Sequence, residues 1–509
     1  SPMRKSPLFA LLAVSVASSL GASDVVGRAD GTPRLPTVAL VRTTTGTNAP
    51  AVLKVAGHSH TCRKPGVSMQ TTYERLHEWA ERNEVAAMGL GSPWSVANAA
   101  MTRHYETELR DLYFADKATD CPFNSAEIES VIQAANDYPG NRTLFYVDNE
   151  TPKSRYGHLW HIGFRVVVPN WHDYNQDRPV WYSALDDATA ETNTVAGGPH
   201  KRRTYRAVVD EQRAGGALCI WAHPTSWWTT NGDPNGPFVT NIAAEMVPQL
   251  LEDGYLDGLT VQGYDAYHRD YQALWFALLD LGYRVPGFSE LDISIGHNIT
   301  GRDTALFNVL PATGIPVPLR QKDLIREFRA ARHTMSSGPV LFLSVDNHPQ
   351  GDELRSGADV RHVVKVVAYP ARNESRLSRV ELVGRRGEVL AVVRDFAGGT
   401  IEWDVRGTDA GGYLVARCFG EMDGDYAFKA QQRIRQCTIT NPVWFRTPRF
   451  QPPEPVRTVV DHMANPTVRR LMDYLATGAF RKDYPGCVPG VVPVEAFRIP
   501  EMREALLSP

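Results

Sequence analysis

The rhythm of apolar residues changes once along this chain, at about position 339, and divides it into two kinds of structure. From about 51 to 335, short apolar runs alternate with stretches of helical period. Ala51 to Ala56, Val85 to Leu90, Thr143 to Val147, His161 to Val168, Ala217 to Ala222, Gly258 to Gln262 and Arg284 to Phe288 read as strands. Thr72 to Met88 reads as a helix feeding the strand at Val85, and Ser125 to Tyr138, Lys201 to Ala214, Ile242 to Glu252 and Asp270 to Leu281 read as helices. Such alternation predicts parallel strands with outer helices, an α/β barrel or a distorted version of one. After 339 the runs Val340 to Val345, His362 to Ala368, Arg379 to Val383, Val389 to Val393, Gly399 to Val405 and Gly412 to Ala416 follow one another. Gly, Asn and Asp turns separate them and no helix intervenes, which predicts an all-β sandwich.

The flanks differ from both halves. Met3 reads as a native start behind a Ser1-Pro2 cloning remnant. Arg4 and Lys5, the apolar run Leu8 to Leu20 and the small residues Ser19, Gly21 and Ala22 then have the order of a secretory signal peptide. The expected organisation is a signal peptide over 1–23, a leader or linker over 24–50, the α/β domain over 51–338 and the sandwich over 339–447. A Pro-rich joint then opens a tail over 448–509, with one helix from Val456 to Thr477. No later run offers the ~20 apolar residues of a membrane helix, so a periplasmic or secreted protein is expected. A net charge of -3 leaves no basic excess for a nucleic acid. Six cysteines are few for 509 residues, so disulfides do not define the fold. Cys418 and Cys437, flanking a hairpin, are the first candidates for a pair.

The chemistry gathers before position 300, where eleven of the fifteen histidines lie. His58-Ser59-His60-Thr61 directly follows an apolar run, and His-x-His at a strand end can turn two imidazole nitrogens onto one metal ion. Asn149-Glu150, Gly157-His158, Ala222-His223-Pro224 and Ser289-Glu290 also stand at or just past strand ends, where a barrel collects ligands from several strands. His161 competes with His158 one alternation later, as a packed side chain. His58, His60, Glu150, His158, His223 and Glu290 are the candidate metal ligands.

At these motifs the chain resembles the polymerase-and-histidinol-phosphatase (PHP) metallohydrolases, and especially their carbaryl-hydrolase-like branch. Gly57-His58-Ser59-His60-Thr61 is similar to the family's opening His-x-His-Thr, Glu150 with Gly157-His158 to its Glu…Gly-His segment, and His223-Pro224 to its His-Pro motif. Trp275 to Gly282, leading to Ser289-Glu290, resembles its Trp-x-x-Leu-Leu-x-x-Gly stretch before Ser/Thr-Asp. Ser337-Gly338-Pro339 and Thr440-Asn441-Pro442 resemble the start and end of its sandwich. The resemblance covers roughly 50–447 and implies a PHP-type distorted (β/α)7 barrel, an all-β sandwich and a short helical C-terminal tail.

Departures matter too. Thr61 to Gly66 lacks the Asp or His expected after His-x-His, Gly91-Ser92-Pro93-Trp94 stands in for an Asp-His motif, and Glu290-Leu291-Asp292 for Asp-x-His. The retained residues match two of the family's three metal sites, which implies one or two divalent ions (Zn, Mn or Fe) with Glu150 as the bridge.

A bound ion of this kind brings the pKa of its water toward neutrality, so hydrolysis of an ester, carbamate, amide or phosphoester is the expected reaction. No Gly-x-Ser-x-Gly elbow points to a covalent nucleophile. Asp292, His268 and Tyr264 are the candidates for proton transfer, and Arg155 and Arg302 for holding an anionic group. Trp227-Trp228, in the polar loop behind His223-Pro224, can stack on a sugar or aryl ring. The alternatives are a metal-dependent glycan- or glycoside-processing enzyme on the same scaffold and a catalytically inactive metal- or ligand-binding protein. A small-molecule or carbohydrate partner is expected in each case.

Overall fold

A computed structural model describes residues 37–46, 48–60, 73–91, 132–150, 158–163, 213–222, 227–229, 238–240, 256–263, 268–280, 282–291, 293–294, 306–357, 360–371, 376–407, 412–422 and 435–447. Along the chain come β1 (Thr37–Thr45), β2 (Val52–Ala56), β3 (Ser59–His60), α1 (Tyr73–Arg82), β4 (Val85–Gly91), β5 (Leu144–Glu150), β6 (His158–Ile162) and β7 (Leu218–Ala222). The short β8 (Trp227–Thr229) and β9 (Phe238–Thr240) pair with each other. Next are β10 (Gly258–Gln262), α2 (His268–Asp280), β11 (Gly287–Ser289), β12 (Ile293–Ser294), β13 (Phe307–Pro311), α3 (Gln321–Arg329) and β14 (Thr334–Ser336). Among the described residues no helix is long and apolar enough to cross a membrane.

Backbone ladders join these strands in the order β11-β10-β7-β6-β5-β4-β2-β13-β14. β2, β4 and β5 run parallel, as do β7, β10 and β11, while β6 is antiparallel to both β5 and β7. The six parallel strands therefore all end on one side of the sheet, and β6 begins there. The sheet is mixed, and it departs from the expected (β/α)7 alternation at β6 and at β13, which runs antiparallel to β2. Leu218 to Ala222 and Gly258 to Gln262 are buried at every position, as suits strands covered on both faces. Helix α1 places Leu76, Trp79 and Ala80 on one stripe against Ala56, Val85 and Met88. Full burial of side chains the size of Leu76 contributes roughly 1.5–3 kcal/mol each.

β11 ends the backbone ladder, yet its outer edge is not left bare. Asn308 on β13 accepts the Ser289 N–H at 2.8 Å and donates to the Ser289 carbonyl at 2.7 Å. Asn441 does the same for Gly287, at 2.7 and 3.1 Å. Two side-chain amides thus take the place of a neighbouring strand and seam β11 to β13 and to the loop after Thr440. His333 completes the seam by donating from Nε2 to the Gly287 carbonyl at 2.7 Å.

That bond fixes the neutral tautomer, and burial pushes the His333 pKa down to about 3. The folded value lies below the unfolded one, so its contribution is whole above the ordinary 6.5 and is lost as pH falls toward 3. Between pH 7 and pH 5 the wild type should lose about 2 kcal/mol through this group. Urea midpoints at both pH values, compared with those of His333→Gln, measure it. A wild type no more acid-sensitive than the variant would contradict the assignment.

The second half contains β15 (Val340–Val345), β16 (His348–Pro349), β17 (Glu353–Arg355), β18 (Arg361–Tyr369), β19 (Leu377–Val383), β20 (Val389–Phe396), β21 (Gly399–Arg406), β22 (Tyr413–Met422), β23 (Arg435–Thr440) and β24 (Val443–Arg446). One layer is β1-β21-β18-β15-β16; the other contains β20-β19-β22-β23, with β24 and β17 beside β22. Along β18 buried and outward positions alternate, and Val364, Val366, Trp403, Val380 and Leu382 meet between the layers. The 24–50 segment, read as a leader or linker, supplies Thr37–Thr45 as an edge strand paired along β21. Because β23 also pairs with β14, one ladder runs from the α/β half into the sandwich. Cys418 and Cys437 lie buried and unbridged on adjacent strands, Cys418 in register with Thr438 and Cys437 with Phe419. That corrects the disulfide expectation. Burial pushes the Cys437 thiol up to about 12, which keeps it protonated.

Candidate functional site

Four of the candidate residues sit where the parallel strands end. His58 follows β2, Glu150 ends β5, His158 opens β6 and Glu290 follows β11. In register, His158 pairs with Ala222, the residue before His223, and Glu150 pairs with Trp160. His60 pairs with Ser294 through the parallel β3 and β12. The topology therefore brings the backbones of His58, Glu150, His158 and Glu290 to one end of the larger sheet, while His60 lies on the separate β3–β12 pair.

Two of the predicted side chains meet there. His58 Nδ1 lies 2.8 Å from Glu290 Oε2, and both residues are buried. The same carboxylate oxygen accepts from Thr260 Oγ1 at 3.0 Å. Gly263 makes room for it, since a Cβ there would come within 2.9 Å of Glu290 Oε1. A carboxylate accepts, so the ring proton belongs on Nδ1 and Nε2 is the nitrogen whose lone pair is suited to a metal ion. The contact lets Glu290 orient the His58 imidazole from behind, as carboxylates do for ligating histidines.

The floor beneath His58 was not foreseen. His58 adopts φ +55°, a left-handed conformation uncommon for a residue with a side chain. Strain of this kind persists only where the surroundings impose it. Here Tyr146 Oη donates to the Ala56 carbonyl at 2.9 Å, and the Leu291 N–H to the Gly57 carbonyl at 3.0 Å. The Trp160 ring stacks on His58 with centroids 5.7 Å apart, in space that a Cβ at Gly57 would fill. Asp148, wholly buried, accepts from the Ser59 N–H at 3.3 Å and from Trp160 Nε1. Burial raises its pKa to about 6, against the pull of His58 and of these donors. Asp148 escaped notice because it reads as the end of the apolar run before Asn149-Glu150. A lone carboxylate in a buried strand was the available signal.

The remaining predicted residues are placed only in part. His60, Glu150 and His158 are described by backbone alone, as are His268, the first residue of α2, and Trp227 and Trp228 on β8. His223, Tyr264, Asp292, Arg155 and Arg302 lie outside the described residues. His161, the competitor of His158, faces Cys219 Sγ at 3.3 Å in the interior. Among the described residues no three His, Cys, Asp or Glu side chains are grouped to hold a metal; the His58–Glu290 pair is the described part of the set. Its donors, an imidazole and a carboxylate, suit a divalent ion of the zinc or manganese type.

No family model and no curated protein matches this chain. Among solved structures it is similar to a two-domain protein from Bacteroides vulgatus containing a predicted PHP-like metal-dependent phosphoesterase. Identity is 11% and the TM-score 0.33, over 76% of this chain and 95% of that one. An engineered protein matches at 12% identity and a TM-score of 0.16, over 75% and 83%. Likenesses of this size do not carry the reading of the site.

Proposed function

We propose that the chain is a metal-dependent hydrolase of the PHP kind, acting on an ester, carbamate, amide or phosphoester. The observation that carries this reading is the buried His58–Glu290 pair at the carboxyl end of the parallel strands, with His58 held in a left-handed backbone. A histidine kept only for packing has no need of either feature. His58, through Nε2, with His60, Glu150, His158 and His223 would hold one or two ions, and Glu290 would fix the His58 ring. Such an ion supplies Lewis acidity and a water acidic enough to serve as nucleophile near neutral pH. Asp292, His268 and Tyr264 are the groups for moving a proton to the leaving group. Arg155 or Arg302 would bind an anionic substituent. The carbaryl-hydrolase-like branch rests on motif order alone.

A panel of aryl esters, carbamates, glycosides and phosphomonoesters, assayed with chelator and after adding back Zn, Mn or Fe, tests the reading. At least one substrate should lose turnover with chelator and regain it with metal; no chelator-sensitive turnover anywhere would sink the proposal. Changing both Trp227 and Trp228 to Ala should raise KM strongly and move kcat little if the substrate bears a ring, because stacking contributes uniform binding. A phosphomonoester preference indifferent to that double change would refute the aromatic-loop assignment.

A further inference from the structure

The sandwich half holds a second cluster, far along the chain from the metal candidates and independent of them. Asp346 lies in the β15–β16 turn, where φ is +50° at Asp346 and +67° at Asn347. Its Oδ1 accepts the Val363 N–H at 2.8 Å and its own N–H donates to the Val363 carbonyl at 2.9 Å, so the β18 backbone fixes the carboxylate. Asp346 Oδ2 lies 2.7 Å from His362 Nδ1. His362 is 2% exposed, with its ring 5.1 Å from that of Phe445. On its other side, His362 Nε2 lies 2.8 Å from Ser356 Oγ. Ser356 is anchored by its N–H donating to the Arg446 carbonyl at 3.0 Å.

The proton positions follow from the donors available. A carboxylate accepts only, so Nδ1 carries the ring proton; Nε2 then accepts, and the Ser356 hydroxyl must donate to it. That is the hydrogen-bond order of a nucleophilic serine, its base and the carboxylate that orients the base. The buried ring is behind and the half-buried hydroxyl in front. Among the described residues, a Cβ on the adjacent Gly357 would meet only Val360 Cγ2, at 3.7 Å. The hydroxyl's other acceptor, the Gly357 carbonyl, lies at 3.4 Å and competes weakly.

We propose that Ser356, His362 and Asp346 form a second hydrolytic site, which cleaves small acyl esters without a metal. Ser356 Oγ bonds to the acyl carbon while its proton passes to His362 Nε2. Collapse of the adduct breaks the bond to the alcohol, which leaves with that proton. Water then repeats the sequence, releasing the carboxylic acid and restoring the serine. Ser356 and His362 are the catalytic residues and Asp346 the positioning residue.

A fluorophosphonate probe tests this on the full chain. Ser356 Oγ displaces fluoride, so one phosphonyl group should appear by intact mass and map to Ser356. Chelator and the change His58→Ala should leave labelling untouched, which separates this site from the metal reading. Ser356→Ala should abolish that label, His362→Gln should slow it about 100-fold or more, and Asp346→Asn by a comparable factor. Melting temperatures of the variants report folding separately. A wild type unlabelled at Ser356, under exposure that saturates a known serine hydrolase, would overturn the proposal. So would equal labelling of a folded His362→Gln variant, the outcome expected if the three residues only tether the β15–β16 turn.

Discussion

Asn308→Asp is expected to lower stability by about 3 kcal/mol or more at neutral pH, although it replaces one atom by another of nearly the same size. The amide stands in for a strand. Its NH2 donates to the Ser289 carbonyl and its oxygen accepts the Ser289 N–H, in a site 1% exposed. A carboxylate keeps the second bond, but turns an oxygen toward the carbonyl that had received a donor. The buried acid escapes by holding a proton, so its folded pKa should rise above the unfolded value near 3.9. The deficit relative to wild type is then full at neutral pH and shrinks in acid, as protonation restores a donor. Urea unfolding of both proteins at pH 7 and pH 5 measures the gap. A gap near zero at pH 7, or one that widens in acid, would show that β11 is held by something other than this seam.

Gly89→Ala should be similarly damaging, and for a reason that reaches the site. A Cβ at Gly89 would fall on the carboxylate and Cβ of Asp148. Asp148 has nowhere to go: it is buried and tied to the Ser59 N–H and to Trp160, the ring that stacks on His58. Overpacking of this kind costs about 1–3 kcal/mol, and more where neither partner can shift. The variant should therefore lose stability and metal affinity together. Thermal unfolding and metal content of the same preparation check this. Loss of neither would mean that the floor under His58 is softer than its contacts imply.

Both changes lie at positions the sequence left silent, and the reason is physical. Periodicity reports which face of an element is buried. The alternation along Arg361–Tyr369, the unbroken apolar run Leu218–Ala222 and the short β-prone run Gly258–Gln262 were therefore legible. Strand direction has no such signature, and the antiparallel entry of β6 at His158, three residues before the expected start, was not foreseen. Thr37–Thr45 hid for another reason: of its nine positions only Val38 is not exposed, so it reads as linker. Helix α3 was missed although Leu324 and Phe328 share a face at spacing four, and β13 was missed with it. Motif order placed His58 and Glu290 among the site residues but could not say which atom of His58 meets which oxygen. The amides of Asn308 and Asn441 and the Ser356–His362–Asp346 relay depend on partners remote in sequence, which a single chain does not display.

The central claim is that the strand ends around His58 and Glu290 hold a divalent ion. Elemental analysis of protein purified without chelator from medium supplemented with Zn, Mn and Fe tests it directly. The account predicts about one to two equivalents per chain, most of it lost in His58→Ala, with the far-UV spectrum of the variant retained. Fewer than about 0.3 equivalents in the wild type, or an undiminished content in the His58 variant, would contradict it.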